Sequence, residues 1–187
     1  MSTLRNNITA KRIALLAAKD EKVFHSHDLA NMWNISSHNT LRTTLKRYAR
    51  QGLLHRIYRG MYSLVPLEGV DPSLLGAKAI HSYCYVSIQT ILFREGYQNQ
   101  PSSSLTFISS KSRKFNLGPN YYSCRQLRPN FLFNTAGIIQ QSGVNTATVE
   151  RAIADLLYFN PHAYFDKEPD WKKVRQLQQE IGYPLTP

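Results

Sequence analysis

Between Ser36 and Leu64 the hydrophobic period of this chain switches from helical to alternating, and that switch restricts the fold more than any other stretch. Leu41, Leu45, Tyr48 and Ala49 recur at the spacing of one helical face, while Ser37, His38, Asn39, Arg42, Thr43, Lys46, Arg47 and Arg50 take the opposite one. The polar face carries four positive residues and no acid. Ser36 or Ser37 is placed to cap the start of the helix, and Gly52 to supply a left-handed residue just past its end. Leu53 to Tyr58 then alternates, Arg59-Gly60 turns, and Met61 to Leu64 returns, which reads as a hairpin. A basic helix followed directly by a hairpin predicts a winged helix-turn-helix. The helix would enter the DNA major groove N-terminal residues first, and Arg56 and Arg59 on the wing, with His55, would touch phosphates or the minor groove. An amphipathic helix often has a charged face that binds nothing. The single sign of the charge, joined to the helix-to-hairpin order, favours DNA.

The preceding residues supply the rest of that domain. Thr9 to Ala18 predicts a first helix capped by Thr9, with Ile13, Leu15, Leu16 and Ala17 apolar. Lys11 and Arg12 fall at its start, against the helix dipole but suited to a phosphate. Val23-Phe24 would add a short strand to the wing. A second helix, capped by Ser26, directs Leu29, Ala30, Met32 and Trp33 to the core, and Asn34-Ile35-Ser36 makes the tight turn into the recognition helix.

Charge follows the same division. The 187 residues carry a formal net charge of +11, and residues 1 to 65 hold eleven Lys and Arg against three acids, so +8 of it lies in the first third. That balance favours a polyanionic partner. The hydrophobic content of 42% is enough for packed cores rather than a disordered chain. Cys84 and Cys124 stand beside tyrosines and read as small buried residues of a reducing compartment. No apolar signal core or membrane-length apolar run occurs, so the expectation is a cytoplasmic protein.

Pro66 to Val70 reads as a linker, giving a winged-helix domain over residues 1–65 and a mixed α/β domain over 71–187, an α+β chain as a whole. Asp71-Pro72 starts a helix containing Leu74, Leu75, Ala77, Lys78 and Ile80. A second runs from Ile88 to Gly96 with Ser87 as cap. Strands are expected at Ser104 to Ser109, Asn120 to Leu127 and Gly137 to Gln141, with Lys111, Arg113 and Lys114 in the loop between the first two. Thr146 would cap a helix over Ala147 to Phe159, and Asp170 a last helix ended by Gly182 and Pro184. Tyr121, Tyr122, Phe131 and Phe133 read as sheet core.

The motifs of catalysis are missing. The nine glycines are scattered without a phosphate-binding loop, no Asp-x-Asp pair is available for magnesium, and no acid precedes Lys111 or Lys114 as a metal-dependent nuclease needs. Six histidines form no spaced metal set. Ser87, His81 and Asp155 lack the glycine elbow of a hydrolase nucleophile. The expectation is a protein that is not an enzyme and holds neither metal nor cofactor.

Four motifs occur in a telling order: Arg59-Gly-Met-Tyr62; Tyr83-Cys-Tyr-Val-Ser-Ile-Gln-Thr-Ile-Leu-Phe-Arg-Glu-Gly96; Thr106-Phe-Ile-Ser-Ser-Lys-Ser-Arg-Lys-Phe115; and Ala147-Thr-Val-Glu-Arg-Ala-Ile-Ala-Asp-Leu-Leu-Tyr158. In this order the chain resembles the AbiE-type antitoxins of bacterial abortive-infection, type IV toxin-antitoxin systems, over roughly Thr9 to Phe159. The resemblance implies an antitoxin that represses its own promoter by binding inverted repeats in double-stranded DNA and opposes a nucleotidyltransferase-like toxin. It implies that Ser37, His38, Asn39, Arg42, Thr43 and Lys46 read DNA with Arg56 and Arg59 on the wing. It also implies that Lys111, Arg113 and Lys114 belong to a positive region of the second domain used in antitoxicity and binding. Two alternatives remain: a winged-helix regulator without a toxin partner, and an interaction module docking an acidic protein. The protein would be a monomer in solution or a dimer on DNA.

Overall fold

The computed structural model describes residues 2–19, 21–100 and 102–185, and the chain divides into two compact units, Met1–Asp71 and Pro72–Pro187. The protein is α+β, with a separate sheet in each unit.

The first unit runs α1 (Ser2–Ala17), β1 (Val23–His25), α2 (Ser26–Met32), α3 (His38–Arg50), β2 (His55–Tyr58) and β3 (Met61–Ser63). Helix α1 starts well before Thr9 because no glycine or proline interrupts the residues ahead of it. Thr9 is therefore an interior residue rather than a cap, and Lys11 and Arg12 lie in mid-helix. At α2 the N-cap is His25, without a side-chain cap bond. The backbone N–H of Ser26 donates instead to the Gly60 carbonyl at 2.8 Å. Strand β1 runs straight into α2, so the hairpin turn satisfies the amide where a serine cap was expected. Asn34 does take the left-handed conformation, at φ +51°.

Strand β3 lies between β1 and β2 and is antiparallel to both. Leu16, Phe24, Leu29, Trp33, Leu41, Leu45, Tyr48 and Leu54 make the core of this unit. Residues 66–70, read as a linker, form a 3-10 turn over Leu67–Gly69 followed by a buried Val70.

The second unit contains α4 (Pro72–Ile80), β4 (Cys84–Val86), α5 (Gln89–Arg94), β5 (Leu105–Ser109), β6 (Arg113–Leu117), β7 (Asn120–Gln126), α6 (Pro129–Leu132), β8 (Ile138–Gln141), β9 (Val144–Ala147), α7 (Val149–Phe159) and α8 (Trp171–Ile181). Its six-stranded sheet has the order β6-β7-β5-β4-β9-β8, parallel at β7/β5 and β4/β9 and antiparallel elsewhere. Helix α4 packs on one face so closely that a Cβ on Gly76 would stand 2.6 Å from the Tyr122 ring. Helix α7 covers the other face, where the Tyr85 hydroxyl donates to Asp155 Oδ1 at 3.3 Å, and the Thr106 N–H of β5 donates to Thr90 Oγ1 of α5 at 2.7 Å. Among the described residues no helix is long and apolar enough to cross a membrane.

Several expectations for this unit are corrected. Arg113 and Lys114 lie on edge strand β6, not in a loop. Thr146 is a buried residue of β9, because pairing with β8 continues to Ala147, and the cap of α7 is Thr148, whose Oγ1 accepts from the Arg151 N–H at 3.3 Å. Ser87 does not cap α5; the N-cap is Ile88, at φ +53°. Tyr121 and Phe133 are exposed, whereas Tyr122 is buried and Phe131 half-buried.

What Ser87 does instead shows how the core of this unit is built. Its hydroxyl donates to Asp155 Oδ2 at 2.7 Å, and the Tyr183 and Tyr85 hydroxyls donate to Oδ1 at 2.7 and 3.3 Å. Arg151 pairs with the same carboxylate through Nε at 3.0 Å. Arg151, Asp155 and Ser87 all have zero exposure, so the group is a sealed polar core rather than a site that substrate could reach.

Burial pushes the Tyr85 and Tyr183 phenols upward, with the Asp155 charge adding to it, and pushes the Cys84 thiol up to about 12. Each group keeps its proton longer folded than unfolded, so its contribution to stability is whole below the unfolded value and declines as pH rises above it. Unfolding should become easier from about pH 9 upward, by about 1.4 kcal/mol per pH unit for each group that ionises only in the unfolded chain. Urea midpoints level to about pH 8 and falling beyond pH 9 would bear this out. Midpoints level to about pH 11 would refute it.

Candidate nucleic-acid interface

Helix α3 is bounded at both ends as its sequence requires. Ser37 Oγ accepts from the Thr40 N–H at 3.3 Å. At the far end Gly52, at φ +71°, lets its own N–H reach the Ala49 carbonyl at 3.2 Å and the Leu53 N–H reach that of Tyr48 at 3.0 Å. Leu41, Thr44, Leu45 and Tyr48 face the core, which leaves His38, Asn39, Arg42, Thr43, Lys46, Arg47 and Arg50 in solvent. The two hydrophobic turns thus fix the direction in which the cations project.

The hairpin closes the other side. Its turn at Arg59-Gly60 has Gly60 at φ +76°, and a register shift between Arg56 and Tyr58 bends β2. Together α3 and the hairpin wall a concave groove of about 820 Å³. Arg42, Lys46 and Arg50 line it from the helix, Arg56 and Arg59 from the hairpin, and no acid lines it. Among the described residues none of these five cations is held in an ion pair. A second depression of about 530 Å³ runs along the outer side of α3, past Asn39, Thr43 and Arg47. Both sides of the helix are therefore bordered by uncompensated positive charge in a low-dielectric wall, the arrangement that concentrates an anionic ligand.

The remaining candidates fall elsewhere. Lys11 is exposed on α1, while Arg12 is half-buried with its guanidinium 5.5 Å from the centroid of Trp33. Trp33 meets Tyr48 edge-on at 5.6 Å, and Arg47 lies 5.2 Å over the Tyr48 ring. Burial opposes ionisation of the Tyr48 phenol, but Thr9, Arg12 and Arg47 beside its oxygen outweigh that and hold its pKa below the usual tyrosine range. In the second unit Lys111 and Lys114 are exposed, but Arg113 is engaged: it donates to the Ala79 carbonyl at 3.0 Å and covers the Phe115 ring at 5.0 Å. The structure thus does not present those three residues as one free patch.

Sequence reasoning passed over Tyr58, which is 58% exposed in the hairpin beside Arg59. Burial alternates along β2, His55 and Ile57 half-buried and Arg56 and Tyr58 exposed, so Tyr58 shares the face of Arg56. Also missed was the Arg151–Asp155 pair, whose signal was an i, i+4 opposite-charge spacing on an apolar helix face.

No family model and no curated protein matches this chain. Among solved structures, the crystal structure of the Rv2827c protein from Mycobacterium tuberculosis is similar, with a TM-score of 0.54 and 12% identity over 95% of this chain and 72% of that one. At that identity the likeness speaks for the α+β fold alone.

Proposed function

We propose that the first unit is a winged helix that binds double-stranded DNA, with α3 in the major groove and the hairpin as the wing. The observation that carries this reading is the groove between α3 and the hairpin, lined by five unpaired cations and no carboxylate. Duplex DNA carries a charge for every 1.7 Å or so of its axis, and a row of cations spaced along a helix and a hairpin matches that demand. Asn39 and Arg42, exposed near the start of α3, have the geometry to read adenine and guanine edges respectively. Arg56 and Arg59 supply phosphate contacts without base choice.

The order of the sequence motifs supports a further step: a cytoplasmic autorepressor acting as the antitoxin of an AbiE-type system, bound to inverted repeats in its own promoter and opposing a nucleotidyltransferase-like toxin. On this reading the chain works by binding rather than catalysis.

The division of labour is tested by two substitutions measured against a panel of duplexes varied one base pair at a time. Arg42→Ala should cost about 1 to 3 kcal/mol on the preferred sequence and flatten the preference at one position. Arg59→Ala should weaken every duplex by a similar factor. Equal, sequence-blind losses for both would overturn the assignment of Arg42 to base reading.

A further inference from the structure

We propose that the uncovered end of the six-stranded sheet, around Tyr121 on β7, is a binding shelf for single-stranded nucleic acid. Register puts the relevant side chains on one face: Asn116 pairs with Tyr121 and Lys114 with Ser123, and the period of two adds Arg125. This is the face that α7 covers over β4, through Tyr85. Arg125, whose guanidinium sits 4.8 Å over the Phe159 ring of α7, marks where that cover stops. Beyond it Lys114 and Asn116 are exposed, and Tyr121 is 61% exposed.

The two neighbouring tyrosines of β7 differ in what they are free to do. Tyr122, on the opposite face, stacks on Phe115 at 4.9 Å and donates its hydroxyl to the Pro72 carbonyl. Among the described residues the Tyr121 side chain makes no ring contact or hydrogen bond. It stands between two depressions of about 180 and 450 Å³, both of which it lines together with Ser103 and Ser104. Phe93, 45% exposed at the end of α5, borders the smaller, and Lys114 borders the larger.

No Asp or Glu lines either depression, and Lys114 and Arg125 stand on the same face as Tyr121. That selects a polyanion. An exposed ring flanked by hydroxyls and amides selects unpaired bases, because a duplex keeps its base faces stacked internally and a single strand offers them. An acidic peptide would use the cations but leave the ring and both depressions unused.

The test uses the full chain carrying Ala at Arg42, Lys46, Arg50, Arg56 and Arg59, so that the groove of the first unit is silenced, with a fluorescein-labelled dodecamer of uridine as probe. This background should still bind the probe, with the contribution of the groove removed. Adding Tyr121→Leu should weaken binding about tenfold or more, whereas Tyr121→Phe, which keeps the ring, should stay within about threefold of the background. Lys114→Ala should lower the salt slope by about 0.7. Binding indifferent to Tyr121→Leu, or competition by duplex DNA or polyglutamate as effective as by unlabelled single strand, would overturn the proposal. Because Tyr121 is exposed, its loss does not threaten the fold. Failure here also leaves the duplex-binding reading of the first unit untouched, since that rests on other residues and another probe.

Discussion

Replacing Arg151 with alanine should destabilise the second unit by about 3 to 5 kcal/mol, the cost of breaking a buried ion pair from one side. The guanidinium spends all five of its N–H donors. Nε reaches Asp155 at 3.0 Å, Nη1 the Asn134 and Ala136 carbonyls at 3.0 and 2.8 Å, and Nη2 the Tyr85 hydroxyl at 2.7 Å and the Phe131 carbonyl at 3.3 Å. Those carbonyls belong to α6 and the loop ahead of β8, so one side chain ties that segment to the sheet. Its removal leaves a carboxylate with zero exposure and no counter-charge, and three carbonyls without that donor. Asp155→Leu should be comparably damaging, because it strands the guanidinium and removes the acceptor for Ser87 and Tyr183. The double variant Arg151→Met with Asp155→Leu should lose less than the two single losses added together, since it leaves no orphaned charge. Urea unfolding followed by tyrosine fluorescence measures all three. Additive losses would show that the pair does not act as a unit.

The second large effect lies in the first unit. Neutralising Arg42, Lys46, Arg50, Arg56 and Arg59 together should abolish measurable duplex binding near physiological salt while leaving the fold intact, because all five side chains project into solvent. If Lys46, Arg50, Arg56 and Arg59 each contact one phosphate while Arg42 reads a base, the wild-type affinity should fall with a log–log salt slope of about −3.6, and Ala at any one of those four should reduce that slope by about 0.9. Between about 50 and 200 mM salt such a slope amounts to a loss of about a hundredfold. A wild-type slope near −1 would mean that the groove meets DNA at one point or not at all.

The sequence disclosed elements wherever a local rule acted alone. Helix α3 was legible from its period, its Ser37 cap and Gly52, and α8 from Asp170 and Gly182, because each rule involves residues within a few positions of one another. The hairpin of the first unit was legible through Arg59-Gly60. Strand β9 was hidden although its signal was present: Ser142 and Gly143 both take positive φ, at +50° and +77°, in a two-residue turn between Gln141 and Val144. Strand β6 was masked by charge, since an edge strand with exposed Arg113 and Lys114 has the composition of a loop. The strand order joins β4 to β9 and β5 to β7 across long separations, and no local period encodes that. In the candidate interface the helix face was legible and its enclosure was not. The approach of the hairpin to α3 depends on the core around Leu45 and Tyr48, a tertiary fact.

Binding of the purified chain to a labelled fragment of the DNA upstream of its own coding sequence, set against a scrambled fragment at several salt concentrations, tests the central claim most directly. Binding to the upstream fragment should be tight, with the scramble weaker by about a thousandfold and with a steep salt dependence for both. Equal affinity for the two fragments at every salt concentration would contradict it, leaving a basic surface without a sequence to read.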